Sequence, residues 1–164
     1  MESTRPAGPD DRAVLAALAR DARADARTKR GGVLLVDEGL RQEPLETTLL
    51  TASPDQLVVL GCIDDVPVGY ALVQVRDLPS GDRLGVVEEL YVDPEGRGVS
   101  VGESMMDDLV AFCRAAGAVG IDALALPGDR ATKNFFETFG LVARAIVVHR
   151  SLGDAPVVPE TPPA

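Results

Sequence analysis

The chain has 164 residues, enough for one domain, with 46% hydrophobic residues to fill a core and only 4% aromatics, so Val, Leu and Ala must do the packing. A formal net charge of −10 argues against a phosphate-backbone binder and for a soluble protein that attracts basic small molecules, polyamines or lysine-bearing peptides. The single histidine and two cysteines have no metal-ligand spacing, no apolar run approaches the ~20 residues of a membrane span, and no signal-peptide pattern opens the chain; the expectation is a cytoplasmic protein with no metal, nucleic-acid or membrane partner.

Ser3-Thr4-Arg5 predicts a short first strand before the Pro6/Pro9 turn. Asp10 or Asp11 then caps a helix from about Arg12, with Val14, Leu15, Leu18, Ala19 and Ala22 at helical spacing and Gly31-Gly32 as its stop. This stretch also holds a run of basic residues, read as a solvated helix face or as a surface for an adenine-nucleotide phosphate or a partner. Val33 to Val36 reads as a strand or a buried turn, and Pro44 opens a second short helix with Leu45, Leu49 and Leu50 inward. Leu57–Cys62 and Val66–Val75 flank Asp64-Asp65 as an antiparallel hairpin. Pro79-Ser80-Gly81-Asp82 turns the chain into a strand from Leu84 to Val92.

Pro94 and Gly96 stop that strand, and after Gly102 the residues Met105, Met106, Leu109, Val110, Phe112 and Cys113 form a helical stripe. A strand that feeds a small-residue loop at a helix start presents unpaired amides and partial positive charge to an anion. Ile121–Leu126 predicts a buried strand, Arg130–Phe139 a helix stopped by Gly140, and Val142–Arg150 a last strand. Pro156, Pro159, Pro162 and Pro163 mark residues 151–164 as a disordered tail, which leaves 1–150 as the domain. Cys62 and Cys113 lie in apolar segments and read as buried small hydrophobes.

The segment Leu90-Tyr91-Val92-Asp93-Pro94 followed by Arg97-Gly98-Val99-Ser100-Val101-Gly102 resembles the acetyl-CoA-binding stretch of the GNAT superfamily of N-acetyltransferases, whose loop reads Arg/Gln-x-x-Gly-x-Gly/Ala. Ser100 stands where that family usually has glycine. The resemblance implies an α/β fold with a GNAT-like mixed, mostly antiparallel sheet flanked by helices on both faces. It also implies acetyl-CoA as co-substrate, with the pantetheine arm along Leu90, Tyr91 and Val92 and the pyrophosphate on the amides of Arg97, Gly98, Val99, Ser100, Val101 and Gly102. A homodimer is left open. Because Leu141–Arg150 contains no Gly, Pro or Asn to turn it, the loop that roofs the acceptor site in many members is expected to be short or missing.

A second stretch, Asp129 to Leu141, resembles the family's Asn-x-x-Ala…Asn-Phe-Tyr-x-x-x-Gly-Phe segment. Asn134 matches a residue that can hydrogen-bond pantetheine. Phe136 takes the place of the tyrosine that protonates the departing thiolate in many members. Acyl transfer also needs a base for the amine. The family's carboxylate base on the thioester strand matches Glu88, with Glu89 as second choice or as the residue that attracts the cation. Regular strand alternation would send the two to opposite faces.

Ser100-x-x-Glu103 before an apolar run is also a capping-box pattern, which would stabilise the helix without any ligand. His149, alone in an apolar strand, reads as structural. The function expected is transfer of an acetyl group from acetyl-CoA to a primary amine of a small molecule, polyamine or peptide. The competing reading is a catalytically weak acyl-CoA-binding or partner-binding module.

Overall fold

The computed structural model describes residues 1–39 and 53–153. In chain order the elements are β1 (Glu2–Pro6), α1 (Arg12–Arg27), α2 (Gly32–Asp37), β2 (Gln56–Ile63), β3 (Val66–Asp77), β4 (Arg83–Val92), α3 (Val101–Ala115), β5 (Ala118–Ala123) and α4 (Arg130–Thr138). The five strands form one sheet in sequence order, antiparallel from β1 to β4 and parallel between β4 and β5. The expected GNAT-like mixed sheet is therefore present. The second helix expected from Pro44 and the tail beyond Gly153 lie outside the described residues.

Helices cover both faces of the sheet because its central strands are apolar on both sides. On one face α1 buries Leu15, Leu18 and Ala19 against Leu60, Tyr70, Leu72 and Tyr91. On the other, α3 buries Met105, Met106, Leu109 and Cys113 against Val59, Ala71, Val73 and Val87. Tyr70, Ala71, Leu72 and Val73 alternate between the two clusters, as the two-residue period of a strand requires. Asp64 and Asp65 both take positive φ, 48° and 64°, the mirror-image turn whose twist matches a two-residue hairpin.

Three expectations are corrected. Val33 to Val36 belong to helix α2 and not to a strand or buried turn, with Val33 and Leu34 exposed. Gly31 has φ +76°, and a Cβ on Gly32 would stand 1.7 Å from the carbonyl oxygen of Ala26, so these two glycines let the chain reverse tightly against the end of α1. The strand expected over Ile121–Leu126 runs from Ala118 to Ala123 and is half-exposed, because among the described residues it pairs only with β4. Val142–Arg150 is in no strand: among the described residues nothing supplies it with a ladder, and its apolar residues stand in solvent.

Candidate active site

Strand β4 builds the centre of the site through two departures from a regular sheet. The first is a bulge. Glu89 faces Leu72 and Val87 faces Val73, so Glu88 is the extra residue of the bulge. Glu89 accepts a hydrogen bond from the Tyr70 hydroxyl, and Glu88 Oε1 accepts one from Arg76 Nη2 at 2.8 Å. Tyr70 belongs to the cluster under α1, and Arg76, six residues on, shares its face. The two carboxylates therefore lie on the same face, not on opposite faces as alternation predicts; the bulge cancels one step of the period.

The second departure is a splay. The β4–β5 ladder ends at Val87↔Ala123, so from Glu88 to Val92 the edge of β4 on the β5 side has no described strand beside it. Beyond this point a cleft of about 210 Å³ opens between the sheet, α1, α2 and α4. Glu88, Glu89, Leu90 and Tyr91 line it from β4, Tyr70 from β3 and Phe136 from α4. Burial raises the Tyr70 pKa first and the neighbouring charge of Glu89 raises it further, so Tyr70 stays a hydrogen-bond donor to Glu89.

The mouth of the cleft is tied by charge. Lys29 at the end of α1 contacts Asp25 at 3.0 Å and Asp129 at 2.8 Å, joining α1 to the start of α4. Burial pushes the Asp129 carboxyl up, but hydrogen bonds from Lys29 and from Thr132 outweigh it and hold Asp129 below the usual range. Asp129 also caps α4 by accepting from the Thr132 backbone amide at 3.1 Å. Lys29 and Tyr70 are participants that sequence reading did not single out for the site. Their partners lie 100 and 19 residues away, and no local pattern signals such pairs.

The loop after β4 turns tightly before α3. Pro94–Gly96 forms a single 3-10 turn, Gly98 has φ +84°, and α3 begins at Val101. Ser100 makes no side-chain cap hydrogen bond, so the capping box is not formed and its hydroxyl is left to solvent. Val99 is partly exposed, while Val101 and Gly102 are buried; a Cβ on Gly102 would come within 3.4 Å of the Phe135 ring. Arg97 is folded back: its Nε donates to the carbonyl of Val92 at 2.9 Å, and its guanidinium lies 5.8 Å from the centre of the Tyr91 ring. The loop residues and Asn134 are not among those lining the cleft, and Asn134 is exposed on α4.

A family model for the acetyltransferase (GNAT) family matches residues 17–141. The chain belongs to the GNAT family. That match runs from within α1 through the bulged strand and the Arg97–Gly102 loop to the helix that carries Phe136. Solved GNAT structures share the fold at low identity. The ribosomal-protein-alanine N-acetyltransferase of Brucella melitensis biovar Abortus 2308 superposes with a TM-score of 0.66 at 16% identity, over 93% of this chain and 100% of that one. AAC(6')-Iy, solved with the bisubstrate analogue CoA-S-monomethyl-acetylneamine, gives 0.68 at 12% identity over 92% and 97%. Glucosamine-6-phosphate N-acetyltransferase of Arabidopsis thaliana gives 0.61 at 13% identity over 93% and 99%. No curated protein matches the sequence.

Proposed function

We propose that the protein transfers an acetyl group from acetyl-CoA to a primary amine. The observation that carries this reading is the edge of β4 from Glu88 to Val92, which has no strand beside it among the described residues and borders the cleft where two carboxylates and a buried phenol meet. The backbone of Leu90, Tyr91 and Val92 can bind an extended amide-bearing arm as an added strand. The Arg97–Gly102 loop then receives the diphosphate on the amides at the start of α3. The thioester, when bound, supplies the acetyl group.

Glu89 is the base in this reading. One of its oxygens is held by a neutral donor, Tyr70, and it has no cationic partner among the described residues. Glu88 is already in an ion pair with Arg76, which must loosen before Glu88 can take a proton; it is better suited to attracting and orienting the cation. Phe136 brings no proton to the leaving sulfur. A thiol of ordinary pKa departs acceptably as thiolate, so water can supply that proton.

The acceptor is a cationic amine drawn by the acidic chain. The relatives named above suggest the probes: a ribosomal-protein N-terminal peptide, an aminoglycoside and an aminosugar phosphate, with polyamines added for their charge. The test is release of free CoA thiol from acetyl-CoA with each amine, alongside a thermal shift with CoA alone. Turnover with any amine supports the reading. A CoA-induced rise in melting temperature with no turnover on the whole panel replaces it with a binding module.

A further inference from the structure

In a chain with 26 acidic residues against 16 lysines and arginines, a cation has no shortage of carboxylates. The cations around the cleft have found theirs. Lys29 contacts Asp25 and Asp129, Arg76 contacts Glu88, Arg27 contacts Asp37 at 2.6 Å, and Arg97 reaches Asp25 at 3.6 Å. Arg23 is the exception. It lines the cleft from an exposed position on α1, and its guanidinium makes no ion pair among the described residues. The helix explains why. The positions one turn away on either side are Ala19, Arg20, Ala26 and Arg27, and none of them is an acid.

Arg23 nevertheless stands near the reacting groups. Burial, and then the charge of Glu89, raise the Tyr70 pKa, and Arg23 is the cation whose charge opposes them. A positive charge felt at that phenol is also felt at Glu89, which holds the same hydroxyl. Yet Arg23 and Glu89 form no ion pair, so the cleft keeps two opposite charges apart on its lining. The lining also includes Ala22 and Ala26 from α1, Leu35 from α2 and Leu126 beyond β5, an aliphatic wall with no charge of its own. A small molecule with a short hydrocarbon body and opposite charges at its two ends matches such a surface.

We propose that Arg23 recognises the acceptor, and that the acceptor is a small zwitterion: one molecule carrying the ammonium to be acetylated and, a few bonds away, a carboxylate or phosphate oxyanion. This rests on the acetyl-transfer reading and narrows its acceptor. The planar guanidinium takes two oxygens of such a group at once, which fixes the orientation of the molecule and presents its amine to Glu89. A diamine would set a second cation against Arg23 and is disfavoured by like-charge repulsion. The net charge of −10 still draws the ammonium end, so the field of the chain and the guanidinium select different halves of one molecule.

Matched acceptors test this on the full chain with acetyl-CoA, by release of free CoA thiol. Glycine, β-alanine, γ-aminobutyrate and phosphoethanolamine are each compared with the amine that lacks the anion: methylamine, ethylamine, propylamine and ethanolamine. The best anionic acceptor should exceed its partner in kcat/KM by about tenfold or more, mainly through KM, the worth of one hydrogen bond to a charged group. The carboxylate and phosphate arms tell which oxyanion is read. Arg23→Gln should erase the difference within each pair, and Arg23→Lys should keep part of it. Arg23→Glu should reverse it, with ethylenediamine preferred to β-alanine. Melting temperatures check that the variants fold, as substitutions at an exposed position should. Equal kcat/KM within every pair overturns this inference alone and leaves acetyl transfer standing. A difference that survives Arg23→Gln also overturns it, and so does a loss of CoA affinity in that variant, which would give Arg23 to the cofactor. No turnover with any amine, anionic or not, overturns the transfer reading and this inference with it.

Discussion

The hydroxyl of Tyr70 donates to Glu89 Oε2 at 2.5 Å across the β3–β4 pair, at the bulge where the cleft begins. Tyr70 is buried and Glu89 half-buried at the cleft wall, and the bond fixes one carboxylate oxygen. Glu89→Gln should lower kcat by about 10²- to 10⁴-fold, the range for loss of a placed general base. CoA affinity should stay unchanged. Tyr70→Phe should cost roughly ten- to a hundredfold, the worth of one hydrogen bond to a charged group, and should move the pH–rate profile. Steady-state rates across pH check both. If Glu88→Gln causes the large loss instead, the ion-paired carboxylate is the base.

Ser100 heads α3 without a cap hydrogen bond. Aspartate at that place adds a negative charge at the positive end of the helix dipole, so Ser100→Asp should stabilise the fold by up to about 1 kcal/mol. The same charge faces the predicted diphosphate, and like charges ~4 Å apart in water repel by about 1 kcal/mol, several-fold in affinity. A melting temperature that rises while CoA binding weakens, read by calorimetry, separates ligand site from plain helix terminus. Unchanged CoA affinity would move the diphosphate elsewhere.

Phe136 is buried at the cleft wall, edge-on to Phe135 with ring centres 5.5 Å apart. Phe136→Tyr adds a phenol with little change of shape. If the ring faces the sulfur, activity should equal the parent's or rise by up to about 10²-fold. Single-turnover rates with CoA affinity measured alongside decide it. A variant that folds and binds CoA but loses activity assigns Phe136 a packing role.

Gly85 and Cys113 meet where α3 crosses β4: a Cβ on Gly85 would stand 2.4 Å from the Cys113 sulfur. Gly85→Ala should therefore destabilise by about 1–3 kcal/mol, the cost of overpacking a filled core. Adding Cys113→Ala removes the obstructing sulfur and should recover much of the loss. Urea unfolding of the single and double variants measures the coupling, and additive losses would show that the clash is relieved by movement elsewhere.

Arg5 grips Asp11 with two bonds, of 2.8 and 2.7 Å, and the amide of Gly8 donates to the same carboxylate at 2.8 Å. The Arg5 bond, more than any other contact, holds the folded pKa at about 2, against an ordinary 3.8. A depressed carboxylate contributes stability above its unfolded pKa and loses it as pH falls through the folded value. Asp11→Asn should thus lower the melting temperature at neutral pH. The gap to the wild type should shrink from about pH 4 downward and close near pH 2. A gap that is constant with pH would mean that the side chain acts through shape and not charge.

The elements with their own punctuation were legible in the chain. Asp64-Asp65, the stripe from Met105 to Cys113, and Asp129 before α4 all carry their signals within a few residues. Val33–Val36 and Val142–Arg150 misled for one shared reason. Strand-like composition states what a segment would do if a neighbour supplied a ladder, and it says nothing of whether one does. The turn into the helix at Gly32 depended instead on the missing Cβ, which would strike the carbonyl oxygen of Ala26, six residues back.

The sequence by itself determined the order of most elements, the small-residue loop before α3 and the identity of the chemical groups, because turn chemistry and apolar period act over one or two turns of chain. Only the tertiary structure decided where those groups point. The bulge that puts Glu88 and Glu89 on one face is a register between two strands. The cleft exists because β5 leaves β4 at Val87, and its mouth is tied by an ion pair between Lys29 and Asp129. Register, splay and long-range ion pairs are properties of two segments at once, and neither segment encodes them alone.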